Sequence, residues 1–214
     1  GIADNGTNIA VYNLTTPGTP VRVGINIVTA TGGTSQFCGA VGGGRVLISN
    51  DNQTNDTAGN AVITLNSAAI DNTTAWAINS TIAANLDNTT TGVNCAMTYG
   101  GISGDNRTFY MAIDNDTDTL LYSIIDNTTA LTVSLAATVS STTADSLAID
   151  ADSNGVPYVV IDNSTGGATL YRTTSMTILG TPTIFGPVDV KVSSDNTKVG
   201  VAGVSAASTT TYPA

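Results

Sequence analysis

Residues 110–122, YMAIDNDTDTLLY, and residues 158–171, YVVIDNSTGGATLY, are two versions of one pattern. Each has an apolar run, Ile-Asp-Asn, a polar turn, and a second apolar run closing on Leu-Tyr. Recurrence over tens of residues marks a repeat architecture, in which units stack because none can bury its own faces. Short runs rich in Val, Ile and Thr alternate with clusters of Asn, Asp, Gly and Ser, and apolar residues at helical spacing are nearly absent. The unit is therefore built of strands and turns.

Four strands fit each unit. One reads SLAID (146–150), VPYVVID (156–162), ATLYRT (168–173) and ILGTPTIF (178–185). The unit before it reads NCAMTY (94–99), TFYMAID (108–114), TLLYSII (119–125) and LTVSLAA (131–137). The first complete one reads FCGAV (37–41), RVLISN (45–50), NAVITLN (60–66) and AWAINSTI (75–82). A fourth begins with VDVKV (188–192) and TKVGVAGV (197–204), and its missing half fits NIAVYNL (8–14) and VRVGINIV (21–28) at the other end of the chain.

Three whole meanders and one divided between the termini resemble a four-bladed β-propeller over essentially the whole chain, residues 1–214 taken as a single all-β domain. The resemblance implies four-stranded antiparallel blades, with strands 8–28 completing the blade begun by 188–204. The blade motif of hemopexin-like propellers is absent, so heme binding is not implied. The competing architecture is an all-β sandwich, for which the number of strands is high. The linker GINIVTATGGTSQ (24–36) is long enough for strands 8–28 to insert either into their own chain or into a neighbour, and the second route grows a polymer.

The residue inventory limits chemistry. There is no His and no Glu, and all 16 acids are Asp. That excludes Ser-His-Asp and Cys-His catalysis, His-containing zinc sites and a Glu base. An Asp pair could still act on glycosides, but nearly every Asp sits beside Asn, Gly, Ser or Thr, where it forms turns. The expectation is no enzyme, no cofactor and no metal. Six Lys and Arg against a net charge of −10 argue against nucleic acid. No apolar run approaches the ~18 residues of a membrane span, and Gly1 is read as a mature N terminus whose leader has been removed.

Asn-x-Thr occurs eleven times, at Asn5, Asn13, Asn52, Asn55, Asn72, Asn79, Asn88, Asn106, Asn115, Asn127 and Asn163, and never as Asn-x-Ser. With 20 Asn in the chain, chance supplies roughly five acceptor sites. The excess points to N-linked glycans on exposed loops, hence to an extracellular or cell-surface location. On the repeat, Asn52, Asn55, Asn115 and Asn163 fall in one hairpin turn. Cys38 and Cys95 are expected to pair in that compartment. Both fall in the first strand of adjacent units, so a bridge between them also tests the register.

Asp150, Asp152, Asn154 and Gly155 match the opening of a calcium loop, but Ile161 stands where the bidentate acid belongs. A hairpin turn is the preferred reading. Asp114, Asp116 and Asp118 form a second acidic turn around the Asn115 sequon. The glycine runs at 42–44 and 100–104 lack the Lys and following helix of a phosphate loop. Sequon density and low charge resemble the subunits of archaeal thread- and pilus-like filaments. That resemblance implies a non-enzymatic subunit of an extracellular assembly whose partners are its own copies and its glycans. The alternative is a secreted adhesin or carbohydrate-binding propeller.

Overall fold

The computed structural model describes residues 2–4, 8–13, 21–28, 37–55, 61–70, 78–86, 94–115, 117–140, 144, 146–163, 167–173, 177–184, 186, 188–203 and 210–213. All regular structure among them is β, and no helix there is long and apolar enough to cross a membrane. An N-terminal sheet holds β1 (Ile2–Asp4), β2 (Asn8–Asn13) and β3 (Val21–Val28). The first four-stranded sheet follows, with β4 (Phe37–Gly42), β5 (Arg45–Asn55), β6 (Ala61–Ala69) and β7 (Ile78–Leu86). The second has β8 (Cys95–Ser103), β9 (Asn106–Asp114), β10 (Asp118–Asp126) and β11 (Leu131–Ser140). The third has β12 (Ser146–Ala151), β13 (Pro157–Asn163), β14 (Gly167–Arg172) and β15 (Thr177–Gly180). A C-terminal sheet of β16 (Asp189–Val192), β17 (Lys198–Ala202) and β18 (Thr210–Pro213) ends the chain. All pairings are antiparallel meanders between consecutive strands.

The repeat seen in the sequence is thus a sheet, and its closing Leu-Tyr carries a structural detail. The register toward the fourth strand shifts between Leu121 and Tyr122 in the second sheet and between Leu170 and Tyr171 in the third. One bulge is reproduced at one place in both repeats, a recurrence expected of a designed feature.

The middle strands carry runs of consecutive apolar residues, such as 109–113 and 158–161, because both of their faces are covered there. In β9, Phe109, Met111 and Ile113 pack with Leu47 and Leu65 of the first sheet. Ala112, one step out of phase, packs with Val159 and Ile161 of the third. Tyr158 and Val160 then point the opposite way, into a core with Val190, Val199 and Val201 of the C-terminal sheet. Period-two alternation along β9 and β13 therefore feeds three successive cores between four sheets packed face to face. The small-residue first strands β4, β8, β12 and β16 lie side by side in that order.

The two ends of the stack differ. Val46, Ile48 and Ala68 on the far side of the first sheet are buried, whereas Asp189, Lys191, Lys198 and Ala202 of the C-terminal sheet face solvent. The expected divided unit is also corrected here. The second edge of β17 pairs with β18 of the same chain, and β2 pairs with β1 and β3. Residues 210–213 thus take the place assigned to 8–14. Thr210, Thr211 and Tyr212 are β-formers close behind β17 in sequence, and closing a shorter loop costs less entropy.

Polar latches join the sheets. Asp114 at the end of β9 accepts the amide of Ala144 at 2.9 Å, just before β12. Asp162, its counterpart at the end of β13, accepts the amide of Gly186 at 2.9 Å, just before β16. Asp150 on β12 accepts the Val192 amide at 2.9 Å and faces Lys191 at 3.1 Å. Between the first and second sheets the latch is ionic: Arg45 Nε donates to Asp126 at 2.8 Å, and Ser67 Oγ and the Thr128 amide donate to the same carboxylate. Burial alone would raise the Asp126 pKa, but these donors and the guanidinium charge outweigh it and hold the pKa below the usual value.

Two predictions follow from the latches. Asp114→Ala leaves the Ala144 amide without its acceptor and should lower unfolding free energy by about 1–3 kcal/mol in denaturant titrations. Asp114→Asn should retain most of the stability, and exposed Asp189→Ala should change it by less than about 0.5 kcal/mol. Arg45→Met leaves Asp126 buried without its counter-ion and should cost about 3–5 kcal/mol at neutral pH. Because the folded pKa of Asp126 is depressed, the stability it contributes is fully present above the unfolded value of about 3.9 and is lost as pH falls through the folded one. Thermal unfolding measured against pH should therefore show the gap between wild type and Arg45→Met narrowing below about pH 4.

Candidate functional site

The features that could carry function sit in the turns and along the seam of first strands. The asparagines of two sequons build their own turns. Asn115 Oδ1 accepts the Thr117 amide at 3.1 Å, the Thr117 hydroxyl at 2.9 Å and the Asp118 amide at 2.6 Å. Asn127 Oδ1 accepts the Thr129 amide at 3.1 Å, the Thr129 hydroxyl at 2.9 Å and the Ala130 amide at 2.8 Å. In each, Asn and Thr of one sequon grip each other through the carbonyl oxygen, an Asx turn. A Ser could supply the same hydroxyl, so these bonds do not explain why only Thr occurs.

Asn127 is exposed, as is Asn106 at the start of β9. Asn163 is the last residue of β13, and Asn13 and Asn79 lie in β2 and β7 as expected. Asn52 and Asn55 do not occupy a turn, because β5 continues through Asn55. Its pairing with β6 is irregular between Asp51 and Asn55, so the strand outlasts the regular ladder. Asn5, Asn72 and Asn88 lie outside the described residues.

Cys38 of β4 and Cys95 of β8 form a disulfide, with Cα atoms 5.8 Å apart. Ser49 of β5 anchors the bridge. Its hydroxyl accepts the Cys38 amide and donates to the Cys38 carbonyl, each at 3.2 Å. Glycines let the seam close: a Cβ on Gly42 would collide with the Tyr99 ring, and one on Gly155 would meet the Gly100 carbonyl. The glycine runs therefore serve packing between sheets.

The calcium-loop reading of 150–155 gives way to the hairpin reading. Asp152 Oδ1 accepts the amides of Asn154 at 2.9 Å and Val156 at 2.8 Å, while Asp150 is turned toward Val192 and Lys191. Carboxylate oxygens held by backbone amides do not form an oxygen cage. No group of three or more His, Cys or acidic side chains able to hold a metal occurs among the described residues. Asp116 of the second acidic turn lies outside them. The exposed turn at 193–197 uses its acid likewise: the Ser193 and Thr197 hydroxyls and the Thr197 amide hold the Asp195 pKa down to about 2.

A cavity of about 290 Å³ opens between the second and third sheets, lined by Tyr110, Leu121, Ser123, Ala136, Pro157 and Thr173. Burial, and secondarily the Asp152 charge, raise the pKa of Tyr110, which keeps its phenol neutral. Sequence reasoning did not anticipate this cavity or the Arg45–Asp126 pair, since their members come from distant strands. The Asp114 and Asp162 latches left a trace, the Ile-Asp that ends the same strand of both repeats. No protein-family model matches the chain, and no curated protein matches it.

The bridge closes a loop with a sequence separation of 57. Its removal by Cys38→Ser with Cys95→Ser should cost about 4 kcal/mol in the chain-entropy model, read as a lower denaturant midpoint. Non-reducing peptide mapping should recover the two cysteines linked within one chain, and free thiols there would refute the pairing.

Proposed function

We propose that this chain is a non-enzymatic, N-glycosylated structural subunit of an extracellular filament or cell-surface assembly. The observation that carries the reading is where its buried acids are spent. Asp150 holds an amide of an adjoining sheet, Asp114 and Asp162 hold amides of the segments that lead into one, Asp126 holds Arg45 across two sheets, and Asp152 caps its own turn. A chain whose buried carboxylates fasten sheet to sheet is organised as a framework. The exposed sequons at Asn106 and Asn127, and the Asx turn at Asn115, supply loops on which glycans can be carried. The disulfide is compatible with secretion.

The finer architecture in this reading is a four-bladed β-propeller. Its blades are the first, second, third and C-terminal sheets, and its inner strands are β4, β8, β12 and β16. The adjacency of those strands and the succession of cores from sheet to sheet support it. The N-terminal sheet is then an addition to the four blades, and the outer face of the C-terminal sheet is left to solvent. Because β18 fills the edge of β17, assembly in this reading uses surfaces other than exchange of strands 8–28 into that sheet.

Intact-mass analysis of native material should exceed the bare 21.5 kDa chain, with Asn106, Asn115 and Asn127 more fully occupied than Asn13 or Asn79 within strands. Negative-stain microscopy of the same material should show polymers or sheets. A bare mass together with isolated particles at high concentration would overturn the reading.

A further inference from the structure

We infer that the cavity between the second and third sheets is a binding site for a single neutral sugar ring. The inference goes beyond the assembly reading and does not depend on it, since such a pocket serves a lone particle and a polymer alike. Comparison of the two repeats shows why the space is there. YMAID (110–114) and YVVID (158–162) are equivalent, and Leu121-Tyr122-Ser123 is equivalent to Leu170-Tyr171-Arg172. Ser123 stands directly opposite Tyr110 in the second sheet, as Arg172 stands opposite Tyr158 in the third. In the third sheet the Arg172 guanidinium lies over the Tyr158 ring, 5.8 Å from its centroid, and Tyr158 is fully buried. In the second sheet serine replaces the arginine, Tyr110 is only partly buried, and the cavity of about 290 Å³ opens against both side chains. One sheet fills with its own side chain the place that the other leaves empty.

The lining determines what that place can hold. Tyr110, Ser123 and Thr173 bring three hydroxyls, interleaved with the hydrocarbon of Leu121, Ala136 and Pro157. The Tyr110 and Ser123 hydroxyls have no hydrogen-bond partner among the described residues, so each can donate and accept. Thr173 gives its proton to the Pro157 carbonyl at 2.9 Å and offers lone pairs only. Gly100 makes room for the Tyr110 ring, since a Cβ there would stand 2.4 Å from it. Hydroxyls set among apolar surface match a sugar ring, with its rim of hydroxyls and its C–H faces. Among the described residues of the lining there is no Lys or Arg to receive an anion and no carboxylate to receive a cation. A wholly apolar ligand would leave the hydroxyls unpaired, which is costly. The volume lies near the bottom of the roughly 300–1,000 Å³ range of small-molecule sites, which limits the occupant to about one ring. Ala136 is exposed and gives that ring a way in.

The test uses the full-length glycosylated protein, with the methyl glycosides of glucose, galactose, mannose and N-acetylglucosamine as probes. Each is titrated by saturation-transfer NMR before and after enzymatic removal of the N-glycans. At least one should bind saturably. Binding to the glycosylated protein identifies a free sugar as the occupant. Binding seen only after glycan removal identifies a residue of the protein's own glycans. Tyr110→Phe, which removes one hydroxyl, should weaken binding about fivefold. Ser123→Arg should abolish it with an unfolding midpoint equal to wild type, because the third sheet already carries arginine at this position. Should Ser123→Arg fail to fold, unchanged affinity in Tyr110→Phe is by itself enough to overturn the site. Saturable binding by neither form of the protein, or binding that both substitutions leave unchanged, overturns it as well and leaves the structural-subunit reading standing.

Discussion

A four-stranded meander with apolar residues on both faces cannot exist in water alone. Phe109 and Met111 on one side of β9, and Ala112 on the other, require a sheet against each face. The arrangement of this chain follows from that requirement. One sheet must follow another at once, the connections must be short, and the succession can stop only where an outer face turns polar. The C-terminal sheet meets that condition, with Asp189, Lys191 and Lys198 directed to solvent.

Apolar packing between sheets is non-directional and would tolerate sliding of one sheet over the next. The buried acids remove that freedom. Asp114 and Asp162 occupy equivalent positions and take the amide of the segment entering the next sheet. Each fixes where the following first strand begins. The disulfide does the same covalently for β4 and β8, and the Arg45–Asp126 pair does so on the same interface. The interface between the first and second sheets is thus held three ways: by hydrocarbon, by charge and by a covalent bond. Just past the end of β17 the position equivalent to Asp114 and Asp162 is Gly203, so the series of latches ends with the C-terminal sheet.

The sequons are unevenly placed along the chain. Sequons concentrate in the first 127 residues, and those placed in turns use the same Asn carbonyl oxygen to build the turn that presents the acceptor. β11, which carries no sequon, begins immediately after the turn built by Asn127.

Strand positions were legible because they depend on neighbours in sequence. Period-two alternation, Asn-Gly and Gly-rich turns, and the repeated Ile-Asp and Leu-Tyr located all but two of the eighteen strands among the described residues. The exceptions, β1 and β18, are only three and four residues long. Pairing Cys38 with Cys95 was likewise a matter of register between adjacent units. Partners far apart in the chain left no such trace. Nothing local distinguishes Asp126, which meets Arg45 and Ser67 of another sheet, from the turn-forming Asp195. The choice of β18 over β2 as the neighbour of β17 was equally hidden, because both are short β-forming runs and only competition for one set of backbone hydrogen bonds separates them. The sequence by itself determined the elements, their repeat and the absence of histidine and glutamate chemistry. Tertiary structure decided which edges were filled and which carboxylates became latches, because those outcomes depend on distances that no spacing along the chain encodes.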